Sequence, residues 1–363
     1  MNLKESRYSK YNLVCEMFEA LKVMNGFDFS RTNKIARVIL DSGKLLLTGE
    51  GSSRIFPAKN FLYQLRTNNA GLELNAMTEG CHQSLEYDLT DWSVVVASNS
   101  GQTGEAVALY RRLLELHHTR NFAVTANENT KLSELANETL VLKCGAERAV
   151  AATKSVVEQA LVYLSILHNL KSIANNQNIH QNANTNNCND SKQDNNCALS
   201  QLREVPKLGR QILDTEYDSE LLERLSDAAT LYFAGRNDGV AEELALKANE
   251  ITRKRSIFLE GTYLLHGVEE VMTDNDVVVL VDPFESECGK INELFVKKHK
   301  IPVISISKFA TTFPTIEIPH VNGYDQFLQI FAGWNLLVQI AVILGIDPDK
   351  PTRARKIGNK FDE

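Results

Sequence analysis

Several things are scarce in these 363 residues, and each scarcity removes a class of function. No block of Lys and Arg occurs, and the formal net charge is −7. Nucleic acids and anionic membranes are held by clustered cations, so neither is expected as a partner. The six cysteines, Cys15, Cys81, Cys144, Cys188, Cys197 and Cys288, stand apart without a CxxC pair. That spacing predicts reduced thiols, not a disulfide frame or a zinc site, and no metal is expected. No GxxxxGK[ST] loop is present, and Gly49-Glu50-Gly51-Ser52-Ser53-Arg54 has Arg54 where a dinucleotide fingerprint needs its third glycine. No nucleotide or other cofactor is expected. Met1–Asn12 is polar and lacks the apolar stretch of a signal peptide, which predicts a cytoplasmic protein. The run Phe327–Leu344 is apolar but carries Gln329, Asn335 and Gln339, and reads as a buried or interface helix, not a membrane span.

What is present alternates. Tyr11–Val23 has helical apolar spacing. Lys44–Thr48 and Ser93–Ala97 are continuous apolar runs, each followed by a small-residue loop and a helix-like stretch, and Phe122–Thr125 and Thr139–Leu142 add two short strands. Further on, Thr230–Ala234 leads through Gly235–Gly239 into a helix expected over Val240–Lys254, with strands at Asp276–Val281 and Pro302–Ser305. Continuous apolar strands interleaved with helices imply parallel sheets covered on both faces. Between the halves, ten of the 22 residues from Asn175 to Asn196 are Asn, a composition that cannot offset chain entropy by burial. The expected organisation is a first α/β domain at 1–172 with an N-terminal helix, a flexible Asn-rich segment at 173–205, a second α/β domain at 206–345, and a tail at 346–363.

The two halves differ in chemistry. Ser98-Asn99-Ser100-Gly101-Gln102-Thr103-Gly104-Glu105 lies between a buried strand and a helix start. Small residues there let the backbone approach a ligand, hydroxyls add donors, and the helix start supplies free N–H groups, all suited to a phosphate. A plain helix cap is the alternative, since Ser and Thr favour that position. The matching turn of the second half is Asp282-Pro283-Phe284-Glu285, acidic and unsuited to an anion.

These motifs together resemble the double sugar-isomerase-domain (SIS) family, which includes the isomerase half of glucosamine-6-phosphate synthase and the SIS-type glucosamine-6-phosphate deaminases. Ser98–Thr103 is similar to that family's SQSGET loop, and Glu50-Gly51-Ser52-Ser53 stands where the synthase has Cys-Gly-Thr-Ser. Glu147–Lys154 (ERAVAATK) is similar to a signature preceding a long helix. Leu246–Ile251 (LKANEI) resembles an LKLKEI helix, His266-Gly267 follows Glu250 by sixteen residues, and Lys356 follows Pro351 by five. The resemblance implies two flavodoxin-like three-layer α/β/α domains with parallel sheets.

It also implies roles. Glu250, His266 and Lys356 would be catalytic; Ser52, Ser53, Ser98, Asn99, Ser100, Thr103, Val150, Ala152 and Lys247 would contact a sugar phosphate. Lys247 and Glu250, three apart, share a helix face, although an isolated pair of this kind is more often a surface ion pair. His266 can carry a proton near neutral pH for ring opening, and a partly desolvated Glu250 can shuttle one between C1 and C2. Lys356 would act near the reacting carbonyl or amine, as electrostatic aid or Schiff base. The family implies a homodimer with His266 donated across the interface, and a tail closing over the active site. Glu50 for Cys, Asn99 for Gln, Ala152 for Ser and Val268 for Pro depart from the family pattern. No amidotransferase segment precedes the first half and position 2 is Asn2, so glutamine-dependent synthesis by this chain alone is not expected. The expected reaction converts glucosamine 6-phosphate to fructose 6-phosphate and ammonia. A fructosamine-6-phosphate deglycase, an aldose–ketose isomerase and a non-catalytic sugar-phosphate sensor are the alternatives.

Overall fold

The computed structural model describes residues 1–68, 72–181 and 200–361 and contains, among them, two five-stranded sheets. The first comprises β1 (Lys44–Gly49), β2 (Asn75–Gly80), β3 (Ser93–Ala97), β4 (Asn121–Thr125) and β5 (Glu138–Val141) in the order β2-β1-β3-β4-β5, every pair parallel. Strand side chains alternate between faces, and both faces here are covered. Leu45, Leu47, Val95, Ala97, Phe122 and Val124 pack with Ala58, Phe61, Leu65, Val162, Ile166 and Leu170 from helices Ile55–Thr67 and Lys154–Gln181. Leu46, Val94, Val96 and Ala123 face the other way, onto Ala106, Leu109, Tyr110 and Leu113 of helix Gly104–Glu115. That double coverage is why the central strands read as unbroken apolar runs.

The second sheet repeats the plan with β6 (Thr230–Gly235), β7 (Arg255–Glu260), β8 (Val277–Val281), β9 (Val303–Ser307) and β10 (Thr315–Glu317), ordered β10-β9-β8-β6-β7 and again all parallel. Each sheet is thus the three-layer, flavodoxin-like arrangement. The helix expected to reach Lys254 ends at Ile251; Thr252 and Arg253, the latter at φ 55°, turn the chain straight into β7. Helix Asp325–Ile343 is long and apolar enough to cross a membrane by length and composition, but 89% of its apolar window is buried within the protein. It packs against helix Val240–Ile251, where a Cβ at Gly333 would lie 2.3 Å from Leu244.

Packing divides the chain differently from sequence order. One unit, built on the first sheet, comprises Val23–Ala146, Lys154–Arg203 and Ile357–Glu363; the other, built on the second sheet, comprises Met1–Lys22, Glu147–Thr153 and Glu204–Lys356. The first 22 residues join the second sheet's unit because their polar ends are anchored there. The Met1 ammonium donates to Leu213 O and to Asn335 Oδ1, and the Asn12 and Leu13 N–H groups donate to Asp349. Helix Lys154–Gln181 runs into the Asn-rich stretch; the remainder of that expected segment, 182–199, lies outside the described residues.

Candidate active site

In a sheet of this order the chain reverses direction between β1 and β3, and ligands bind in the crevice beyond the carboxyl ends of such strands. Two loops flank it. The strand ends are so close that a Cβ at Gly49 would lie 2.6 Å from Ala97 O, so β1 must exit through glycine. The chain then forms a tight turn, Gly51–Ser53, carrying Ser52 and Ser53, both half-buried. Glu50, in the position where the family has Cys, accepts the Cys81 N–H at 2.8 Å through Oε1.

The second loop follows β3. Thr103 sits at the N-cap of helix Gly104–Glu115, yet its hydroxyl caps nothing. It meets Ser98 Oγ at 2.8 Å instead, and Ser98 Oγ also accepts the Gly101 N–H at 3.2 Å. The simple capping alternative is therefore not the use this loop makes of Thr103. Ser100 Oγ accepts the Gln102 N–H at 3.1 Å, and the Asn99 carbonyl accepts the N–H of Ala126 and the amide of Asn127. Gly101 has φ 62°, and a Cβ there would fall 2.2 Å from Thr130 Oγ1. Ser98 is buried by this bonding, while Asn99, Ser100 and Thr103 stay half-buried at the rim. The tail lies along this loop: Gly104 N–H donates to Asn359 O, Phe361 N–H donates to Gln102 O, and the Phe361 ring sits under the Arg111 guanidinium.

The other unit carries Lys247 and Glu250, the residues expected to do the acid–base work. On helix Val240–Ile251, Lys247 Nζ lies 2.7 Å from Glu250 Oε2 and 3.3 Å from Glu243 Oε1. The Glu243 and Lys247 side chains are fully buried, whereas that of Glu250 is 27% exposed. Burial opposes the Lys247 charge, but Glu250 and Glu243 together outweigh it and hold the ammonium above the ordinary lysine range. This is not a surface ion pair: only the Glu250 carboxylate opens to solvent, with its counter-charge fixed behind it.

Val150 and Ala152 lie on the segment Glu147–Thr153, which two carboxylates fix. Glu16, 4% exposed, accepts the Arg148 N–H at 2.5 Å and the Ala149 N–H at 3.4 Å. Glu147 accepts the Thr153 N–H at 2.9 Å, and Lys356 Nζ reaches Glu147 Oε2 at 3.4 Å and Ala149 O at 2.6 Å. His266 stands apart. It is exposed between two short turns, 6.4 Å ring to ring from Tyr263, beside a groove of about 530 Å³ lined also by Glu260, Phe284 and Glu287. Among the described residues no hydrogen bond joins it to Glu250, and no group of three His, Cys, Asp or Glu could hold a metal.

No protein-family model matches the chain. Over 274 residues, 72% of its length, it is 26% identical to the glutamine–fructose-6-phosphate aminotransferase [isomerizing] of Staphylococcus aureus, of which the match covers 42%. The chain thus spans about two-fifths of the length of such curated relatives. Among solved structures it superposes with a TM-score of 0.72 on the tagatose-6-phosphate ketose/aldose isomerase of Escherichia coli (17% identical, covering 96% of this chain and 98% of that one). The glucosamine-6-phosphate deaminase of Thermotoga maritima follows with a TM-score of 0.63, 19% identity and coverage of 93% and 98%. The chain's two halves have the sugar-isomerase (SIS) fold of such structures. It is related to the isomerase half of the aminotransferases.

The second SIS domain closes its own crevice. Where the first has hydroxyls, the exits of β6 and β8 hold Arg236, whose Nε donates to Asp282 Oδ2 at 2.6 Å and to Asp282 O at 3.0 Å, with its guanidinium over the Phe284 ring. Two buried groups of this SIS unit escaped the sequence reading, Glu16 and Glu243. Their signal was present: each sits at helical spacing within an apolar face, Glu16 among Leu13, Met17 and Ala20, Glu243 between Val240 and Lys247. An acid on the core-facing stripe of a helix predicts a buried partner.

Proposed function

We propose that the chain is a sugar-phosphate isomerase of the deaminating kind, turning glucosamine 6-phosphate and water into fructose 6-phosphate and ammonia. The observation that carries this reading is the Glu243–Lys247–Glu250 array, in which one carboxylate of a buried ion cluster opens to solvent. A carboxylate so held suits repeated proton transfer, because its counter-charge does not have to be assembled during reaction. The relatives and neighbours described above are named for reactions of hexose phosphates, which supports the substrate class.

In this reading Ser52, Ser53, Ser98, Asn99, Ser100 and Thr103 hold the phosphate and sugar, with Val150 and Ala152 presenting backbone and Lys247 a charge. His266, supplied by the second subunit of a homodimer, moves the proton that opens the ring. Glu250 removes the proton from C2 of the open amino-aldehyde and returns it to C1, while O1 takes up a proton and the nitrogen loses one, giving the C1 alcohol. The resulting imine at C2 takes up water and expels ammonia, so atoms and charge balance.

Proton NMR in D2O tests the proposal with glucosamine 6-phosphate, fructosamine 6-phosphate and fructose 6-phosphate in turn. The expected result is deuterium at C1 or C2 with ammonia released from the first. Turnover of the fructosamine phosphate alone would move the assignment to a deglycase, and exchange without ammonia to an aldose–ketose isomerase. Three unexchanged sugars that still raise the melting temperature would make the protein a sensor.

A further inference from the structure

We propose that Glu50 is a specificity-determining residue of the first crevice, where its carboxylate receives the ammonium group of an amino-sugar phosphate and favours that ligand over one with a hydroxyl in the same place. The inference rests on the reading above for the substrate class. Its geometry lies within one unit, since Glu50 and the Ser98–Thr103 loop both belong to the unit of the first sheet.

Glu50 is the first residue beyond β1, and Gly49 pairs in register with Ala97, so Glu50 and Ser98 leave adjacent parallel strands at the same level. Neighbouring strands lie about 5 Å apart, which puts the two exits within the span of one hexose phosphate. A carboxylate repels a phosphate, so its presence one strand away from the Ser98–Thr103 loop calls for a cation. The protein supplies none: among the described residues no Lys, Arg or His pairs with Glu50. The ordinary structural use of an acid at this point is not made either. Glu50 occupies the cap position of the Gly51–Ser53 turn, yet its side chain caps nothing. Instead Oε1 accepts the Cys81 N–H at 2.8 Å, which steadies the carboxylate between the exits of β1 and β2, and the residue stays half-buried. A carboxylate anchored in this way meets an ammonium with a full opposite charge but a hydroxyl only with a dipole. Phosphate beyond β3 and amine beyond β1 would then hold the two ends of one ligand. A sugar bound the other way round would bring its phosphate against Glu50.

Two ligands that cannot turn over test this: the reduced, open-chain alditols of glucosamine 6-phosphate and glucose 6-phosphate, which lack the aldehyde and differ from each other at C2 alone. In calorimetric titration, wild type should bind the amine about tenfold more tightly. That preference should shrink as pH rises and the amine gives up its proton. Glu50→Gln keeps an oxygen acceptor for the Cys81 N–H, and Glu50→Cys installs the residue that stands there in the synthase. Both variants should bring the two affinities within about twofold of each other by weakening the amine alone. Equal weakening of both ligands would give Glu50 a structural role, and an undiminished preference in both variants would place the ammonium elsewhere. Either result overturns the proposal, as does a wild type that prefers neither ligand. Failure of the reaction assignment looks different: no deuterium would enter any sugar and no ammonia would be released, while the affinity ratio would still decide the role of Glu50.

Discussion

The two domains present the same crevice in two chemical forms. Both sheets reverse between their first and third strands, and in both a tight glycine lets the chain out beside its neighbour: Gly49 against Ala97 O at 2.6 Å, Gly235 against Val281 O at 2.8 Å. Beyond that point they part. The first crevice is lined by Ser98, Ser100 and Thr103, with no charge of its own in the loop. The second contains an arginine already neutralised by Asp282 and, behind it, Asp238, whose carboxyl is pushed up to about 7 by burial, with the charge of Asp282 adding to the effect. Topology alone does not make an anion site. A duplicated fold can keep its switch point and retire it by filling it with its own ion pair.

The largest effect should come from separating catalysis from binding. Glu250→Gln keeps the shape of the array and removes the base, so kcat should fall by about a thousandfold while sugar phosphate still raises the melting temperature. Loss of binding together with turnover would contradict the division of labour between the domains. Asp282→Ala strips Arg236 of its carboxylate. A cost of about 2 kcal/mol in denaturant unfolding is expected, because this pair is largely buried. Calorimetry should then find a second inorganic phosphate bound per chain; a count unchanged from wild type would mean that charge is not what separates the crevices. Gly101→Ala attacks the other crevice. With φ at 62° and Thr130 in the way, it should cost about 1–2 kcal/mol and abolish phosphate-dependent stabilisation.

The smallest effect is a slope. Folded Asp238 keeps its proton up to about pH 7, while an unfolded aspartate releases it near ~4. Between those values the native state binds more protons than the unfolded one, so Asp238 takes stability away as pH rises through the window. Asp238→Asn, which can still accept the Val240 N–H, should remove up to about 1.4 kcal/mol per pH unit of that decline. Melting curves of both proteins at pH 5 and 7.5 would show it, and parallel slopes would refute it.

The fold was legible where burial is two-sided. β1, β3, β4, β6, β8 and β9 sit inside their sheets, and their apolar runs announced them. Of the four edge strands, β5 showed a short run at Thr139–Leu142, whereas β2 (NAMTEG), β7 (RSIFLE) and β10 (TIE), less completely covered than the central strands, showed none that was read. At the candidate site, the three-residue spacing of Lys247 and Glu250 gave a shared helix face, which the structure realises as a 2.7 Å contact. What sequence could not supply was depth. Only its helical spacing to Val240 and Lys247 separates Glu243, fully buried, from Glu242 beside it, since both look like acids favouring a helix start. Lys356 posed the same difficulty: its partners lie more than two hundred residues away, at distances no spacing rule reaches.

The interleaving of the two units also bears on how the chain is made. Residues 98–104 leave the ribosome early, but the segment bridged to them, 357–361, follows about 250 residues later, long after the first segment could fold. Helix Asn12–Asn25 meets the reverse delay, since most of it waits for a sheet whose first strand is Thr230–Gly235. Neither unit can be completed before the other has begun, so translation must carry two unfinished folds at once. A nascent chain arrested near residue 230 would expose the apolar face of its N-terminal helix, and would depend on chaperones to a degree that the finished protein does not.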